Sequence, residues 1–321
     1  NKANPGANAI LGVSMAAAQA AADATTLPLY RYLGGAGARV MPVPMMNILN
    51  GGAHAGNDVD LQEFMIVPYG ADTFEEGLRW GVEIFHALRD ILTEAGLNTA
   101  VGDEGGFGLP LDSIDAAFDL VMTGIREAGY VPGDDFGLGL DVAASHFFTN
   151  GRYELDTLGE TFSPAEMVDL VAEWVETYPI VSVEDPLVED DWDAWVSLVE
   201  RVGEEAQILG DDLLVTNEDR VERAIDSAAA TAVLVKPNQT GTITRAMSVV
   251  DTAQEAGLGT VVSARSGETC DSTIADLAVA LDAGQIKICS ISGSERLSKY
   301  NRLLEIERKL SDFSGSEALP S

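Results

Sequence analysis

The sequence predicts an α/β fold of the (β/α)8-barrel type, and three observations carry that expectation. Six short apolar runs each end in an ionisable residue: Gly139-Leu140 leads into Asp141, residues 180–183 into Glu184, 208–210 into Asp211, 232–235 into Lys236, 260–264 into Arg265, and Gln285-Ile286 into Lys287. These charged residues follow one another at 43, 27, 25, 29 and 22 residues. That is about one strand plus one helix per step, the layout of a parallel barrel whose strands end at a common rim. The length, 321 residues, suits one barrel of about 250 residues plus a small remnant. A doubly wound open sheet competes, but no G-x-G-x-x-G follows the first strand.

Along the chain, residues 1–40 read as mostly helix, with good helix formers over 8–22 and a second segment at 27–33 before the break at Gly34-Gly35. They resemble the end of a preceding domain, so the expected organisation is a helical remnant, 1–40, followed by a barrel domain, 41–321. Apolar runs at 41–49 and 61–67 predict strands flanking a glycine-rich loop over 50–60. Thr73 and Glu76 have capping-box spacing before a helix whose Leu78, Val82, Phe85, Leu88 and Leu92 share one face. A second glycine-rich loop spans 101–110, and a helix follows at 113–128. Alternating units then run to the end: the strand ending at Asp141, a helix opened by Ser163 with Pro164 at its first position and Glu166 closing the box, and strand–helix pairs at 179–184/192–202, 207–211/218–227, 232–236/242–256, 259–263/272–281 and 285–287/294–310. The polar tail, 311–321, is expected to fray.

Composition narrows the function classes. The net charge is −33, from 52 acidic against 19 basic residues; such a surface repels nucleic acid and anionic membrane. No apolar run reaches the ~18 residues of a membrane span, and the greasy stretch 9–22 is alanine-rich without a basic leader, so it reads as a buried helix. The acidity suits either adaptation to high salt or an ordinary acidic cytosolic protein. Two cysteines, Cys270 and Cys289, cannot build a disulfide framework and are read as small buried hydrophobes in a cytoplasmic enzyme.

Three carboxylates followed by three cations on successive strand ends place a cation site beside an anion site. Asp141, Glu184 and Asp211 offer oxygen-only ligation, which suits a hard cation such as Mg²⁺. Lys236 ends an apolar run, where burial favours the neutral amine and makes it a better base. A lysine base beside Mg²⁺ points to removal of a proton from a carbon next to a carboxylate, with the metal offsetting the charge that develops. Arg265 and Lys287 are the candidate anion-binding pair. The loop Gly102-Asp103-Glu104-Gly105-Gly106 allows close backbone approach to a ligand and offers a carboxyl as general acid. His54 and Glu63, taken alone, read as structural.

The stretches VPMMNILNGGAHAGN, LQEFMIVP, NTAVGDEGGF, VSVEDPL, GDDLLVTN, LVKPNQTGT, RSGET and IADLAVA followed by AGQIK occur in this order across nearly the whole chain. Together they resemble enolase, the phosphopyruvate hydratase of glycolysis. The resemblance implies reversible dehydration of 2-phosphoglycerate to phosphoenolpyruvate in the cytoplasm, with Mg²⁺ as cofactor and a dimer or octamer as the assembly. It implies Asp141, Glu184 and Asp211 as metal ligands, Lys236 as the base at C2, and Glu104, assisted by Glu63, as the acid for the departing C3 hydroxyl. Gln62 and His54 would contact substrate, Arg265 and Ser266 would hold the phosphate, and Lys287 the carboxylate.

The chain departs from the family in three places. Family members read S-H-R-S-G-E-T-E-D where this sequence has Ser263-Ala264-Arg265-Ser266-Gly267-Glu268-Thr269-Cys270-Asp271. Loss of that histidine removes one charge-assisted hydrogen bond, worth about 1.5–3 kcal/mol. The usual G-Q-I-K-T-G is Gly284-Gln285-Ile286-Lys287-Ile288-Cys289, bulkier after the lysine. The family's N-terminal α+β domain is mostly absent, and with it a mobile loop that helps bind a second Mg²⁺. Two other readings stand beside an enolase: a lyase of the same superfamily acting on another acid, favoured by Ala264, and a catalytically weak enolase-like binding protein, disfavoured by retention of Lys236, Glu104 and all three metal acids.

Overall fold

The computed structural model describes residues 4–52, 59–111, 113–310 and 312–319. Eight strands close into a barrel: β1 (Val43–Asn50), β2 (Glu63–Val67), β3 (Gly137–Asp141), β4 (Ile180–Glu184), β5 (Gln207–Gly210), β6 (Ala232–Val235), β7 (Gly259–Ser263) and β8 (Gly284–Lys287). Closure comes from the parallel pairing of β8 with β1, where Lys287 faces Met45. The barrel predicted from the strand-end pattern is therefore present. One strand reverses: β2 runs antiparallel to both β1 and β3. The cause lies in the length of the connection, because only residues 51–62 separate β1 from β2, the lower limit of what a crossover to a parallel strand requires.

The helices are α1 (Gly6–Ala24), α2 (Leu29–Gly34), α3 (Phe74–Glu94), α4 (Ile114–Glu127), α5 (Pro164–Thr177), α6 (Trp192–Val202), α7 (Glu218–Ser227), α8 (Pro237–Thr240), α9 (Ile243–Glu255), α10 (Thr273–Ala280) and α11 (Ser294–Glu307). Ser163 and Glu166 form the complete capping box that the sequence predicts for α5. At α3, Thr73 accepts from the Glu76 amide, but Glu76 reaches back to the Asp72 amide. The buried face of α3 is Phe74, Gly77, Gly81, Ile84, Phe85, Leu88 and Leu92, while the predicted Val82 is exposed.

Two apolar layers hold the barrel. Val43, Met45, Met65, Val67, Leu209, Ala232, Leu234 and Val261 fill its interior, and a larger cluster packs between sheet and helices. Inside, Gln207 donates to Ser182 Oγ at 2.9 Å and Gln285 donates to Gln207 Oε1 at 2.8 Å, so this buried polar layer is hydrogen-bonded rather than empty. Within the expected fraying tail, the described residues 312–319 are held: Asp312–Phe313 pairs in parallel with Val40–Met41, and the Ala318 carbonyl accepts from Gln285 at 2.8 Å. A polar tail finds partners because Gln285 faces the barrel's open lower end with a donor to satisfy. The segment after β3 holds a small antiparallel sheet, Phe148–Thr149, Arg152–Leu155 and Glu160–Phe162, that apolar periodicity did not mark.

The N-terminal helices lie against the barrel. A Cβ on Gly34 would stand 2.1 Å from the Ala280 carbonyl oxygen, so α2 and α10 meet backbone to backbone. Gly34→Ala is expected to destabilise by about 1–3 kcal/mol through overpacking. Gly12→Ala, in the middle of α1 with nothing within 4 Å of its added Cβ, is expected to be neutral or to stabilise by up to about 1 kcal/mol. Thermal denaturation followed by circular dichroism checks both, and equal melting temperatures for the two variants would refute the close-contact account.

Candidate active site

The register of the sheet brings the strand-end acids together. Glu63 pairs with Asp141, and Asp141 with Glu184, on three adjacent strands. Asp211 follows β5 two residues beyond Leu209, which faces Glu184. One rim cavity of about 160 Å³ is lined by Gln62, Glu63, Glu104, Asp141, Asp211, Lys236, Arg265, Ser266 and Lys287. That volume is below the ~300 Å³ at which drug-sized ligand pockets begin, and it suits a small metabolite. Glu184 lies beneath, its Oε2 accepting from Lys287 at 2.7 Å. His54 falls outside the described residues.

Lys287 is buried among acids: its ammonium stands 3.2 Å from Glu63, 3.1 Å from Asp141 and 2.7 Å from Glu184. Burial alone would pull its pKa down, but these carboxylates together hold it well above the ordinary lysine value. Lys236 ion-pairs with Asp211 Oδ2, and its backbone amide donates to Thr216 Oγ1 at 2.8 Å. Burial lowers the Lys236 pKa and the charges of Asp211 and Glu184 outweigh it, so the net shift is upward. This corrects the expectation of a neutral amine: the acids that flank Lys236 keep it protonated.

The Ser266 hydroxyl donates to Glu104 Oε1 at 2.6 Å. The glycines around Glu104 have a steric reason. Gly105 has φ +86°, and an added Cβ would lie 2.6 Å from Ser292 Oγ and 2.8 Å from Ser290 Cβ. The Ser290 amide donates to the Glu104 carbonyl at 2.9 Å, so the loop is seated on the segment after β8. Burial, and then the Glu104 charge, push the Glu63 carboxyl well above the usual carboxylate range. The two neighbouring carboxyls thus disfavour each other's ionisation. Arg265 is exposed at the mouth and donates to Asn238 Oδ1 at 2.8 Å.

Two acids escaped the strand-end pattern. Asp185, Asp211 and Asp212 bring one carboxylate oxygen each within 4.8 Å of one another, a group able to coordinate a divalent cation. Asp185 also accepts from the Asp211 and Asp212 amides, at 3.0 and 2.8 Å. The doubled acids in Val183-Glu184-Asp185-Pro186 and Gly210-Asp211-Asp212 were the available signal. His146 lines the cavity as well, from a turn no pattern marked. Ala143, Asp185 and Cys289 all line it with φ of +47°, +43° and +72°. Strained backbone is thus gathered at this rim, as at functional sites generally. Cys289 is buried as expected, whereas Cys270 is exposed, beyond the barrel strands.

The residues present fit a divalent cation. The donor set is oxygen-only, and six lining acids face Lys236, Arg265 and Lys287. Burial, and then Asp141, push the Glu184 carboxyl up to about 8; burial, and then Asp211, push Asp185 well up. Such groups hold protons that a cation must displace. Mg²⁺ uptake is therefore expected to release protons at pH 7, with affinity rising as pH climbs toward about 8. Calorimetry in two buffers of different ionisation heat measures this, and buffer-independent heats would contradict the charge account.

Among the described residues, no helix is long and apolar enough to cross a membrane. Two family models match the chain: the enolase C-terminal TIM barrel domain over residues 38–318, and the enolase N-terminal domain over residues 1–33. With an eight-stranded barrel that carries one reversed strand, and a rim of acids around the buried Lys287 and the half-buried Lys236, the chain belongs to the enolase family of hydro-lyases.

Proposed function

We propose that this chain catalyses the Mg²⁺-dependent, reversible dehydration of 2-phosphoglycerate to phosphoenolpyruvate. The observation that carries the reading is that Lys236 and Glu104 line one cavity together with the acids Glu63, Asp141 and Asp211 and the cations Arg265 and Lys287. Asp141, Glu184 and Asp211, with Asp185 and Asp212 alongside, would hold the metal. A Mg²⁺ held by these acids would neutralise them and supply positive charge to offset that developing on the substrate carboxylate. Lys236 takes the C2 proton. The electron pair of that C–H bond becomes the C2–C3 double bond, and the C3–O bond breaks. Glu104 gives the departing hydroxyl its proton, so one water leaves, with Glu63 sharing the proton of the pair. Lys287 orients the substrate carboxylate, Arg265 and Ser266 take the phosphate, and Gln62 and His54 complete the contacts. Gln62 is already held by Asp141 at 3.0 Å. The family supports a cytoplasmic enzyme working as a dimer or octamer.

The test is ultraviolet absorbance of phosphoenolpyruvate formed from 2-phosphoglycerate with Mg²⁺, at low and high salt. Metal-dependent turnover is expected, abolished by chelation; a folded, Mg²⁺-binding protein without turnover would sink the assignment. Ala264, buried at 3% exposure on the cavity wall, favours a second reading: a related lyase acting on an acid that needs no imidazole at this place. A panel of 2-hydroxy and phosphorylated acids separates the two.

A further inference from the structure

Arg296 belongs to none of the strand ends and does not line the cavity, yet it is 1% exposed. It sits in the first turn of α11, where the helix dipole disfavours a cation. Its guanidinium donates from Nη1 to the Arg265 carbonyl at 2.6 Å and from Nη2 to the Ser266 carbonyl at 2.7 Å, while its buried Nε makes no hydrogen bond. A buried guanidinium held by carbonyls rather than a carboxylate is costly, so its place needs a compensating reason. The two carbonyls it grips belong to the residues assigned to the phosphate. One turn on, Lys299 donates to the Glu295 and Thr269 carbonyls, with Glu268 at 3.6 Å. Helix α11 thus staples the loop after β7 from behind, while Asn238 holds the Arg265 side chain in front.

We propose that Arg296 is a positioning residue for anion binding, setting Arg265 and Ser266 by holding their backbone carbonyls without touching substrate itself. The planar fork of an arginine fixes two consecutive carbonyls in one plane, and a lysine offers no such two-point grip. The inference rests on the reading in which Arg265 and Ser266 receive the substrate phosphate.

The experiment is a double-mutant cycle in the whole chain with Mg²⁺, reading KM for 2-phosphoglycerate, kcat, and competitive inhibition by inorganic phosphate. Arg296→Lys, which keeps the charge and most of the bulk that Arg296→Ala would remove, is expected to raise KM and the phosphate inhibition constant about tenfold (~1.4 kcal/mol) with kcat nearly unchanged. On an Arg265→Ala background the same change is expected to add little, because residues acting through one another are not additive. Equal losses on both backgrounds, a fall in kcat alone, or an unchanged KM in Arg296→Lys would overturn the proposal. If Arg265→Ala by itself leaves KM and phosphate inhibition unmoved, the phosphate reading fails first, and that result is independent of any change at 296.

Discussion

Replacing Lys236 by alanine is expected to lower kcat for 2-phosphoglycerate by about 10²–10⁴-fold, the usual weight of a positioned general base, while Mg²⁺ binds no more weakly. The second half follows from Asp211, which currently pairs with the Lys236 ammonium and would be released toward the metal. Lys236→Arg separates base from charge. A guanidinium keeps the ion pair but cannot lose its proton, so it should be as inactive as alanine. The upward pKa of Lys236 sharpens the expectation: with Asp211 and Glu184 uncompensated the amine stays protonated, and the basic form becomes accessible only when those carboxylates are neutralised. Exchange of the C2 proton of 2-phosphoglycerate in deuterated water, followed by NMR, reads the step directly. Exchange should require Mg²⁺ and vanish in both variants; exchange retained in Lys236→Arg would exclude Lys236 as the base.

The features that place this chemistry were unequally visible in the sequence. Parallel strands buried on both faces read as apolar runs, and a run must stop where the chain leaves the barrel, so the residues that end these runs, such as Asp141, Lys236 and Lys287, announced the rim before any contact was known. Asp185 and Asp212 were hidden because each sits one residue past a strand-end acid, where a turn conformation rather than strand alternation decides the direction of the side chain; Asp185 faces inward with φ +43°. The reversal of β2 was hidden because periodicity carries no strand direction. The tail was misjudged because its anchors, the pairing with Val40–Met41 and the buried amide of Gln285, lie far off in sequence and meet it only when the barrel closes. Arg296 falls inside the helix expected over 294–310, and only the structure shows its two carbonyl partners.

Substituting methionine for Lys287 is expected to destabilise the metal-free protein by about 3–5 kcal/mol, the cost of breaking a buried ion pair. The lysine stands within 3.2 Å of Glu63, Asp141 and Glu184, so its removal leaves three buried carboxyls without their shared cation. The loss should depend on pH with a definite sign. A carboxyl whose folded pKa lies above its unfolded value carries a proton in the folded state that it loses on unfolding, so stability falls as pH rises between the two values. For Glu184 in the parent protein that window runs from 4.5 to about 8, and removing Lys287 extends it upward because the lysine is one of the charges holding the carboxyl down. The deficit of Lys287→Met should therefore be small near pH 5.5 and greatest above pH 8. Mg²⁺ should offset part of it, by about 2.7 kcal/mol at one hundred times its dissociation constant. Substrate turnover should not return, since a cation restores charge balance but not the group that orients the carboxylate. Thermal melts at pH 5.5 and 8.5, with and without Mg²⁺, measure the two stability effects, and the phosphoenolpyruvate absorbance assay measures the third. A loss of stability that is the same at both pH values and indifferent to Mg²⁺ would mean that Lys287 contributes packing rather than charge, and the electrostatic account of the whole rim would fall with it.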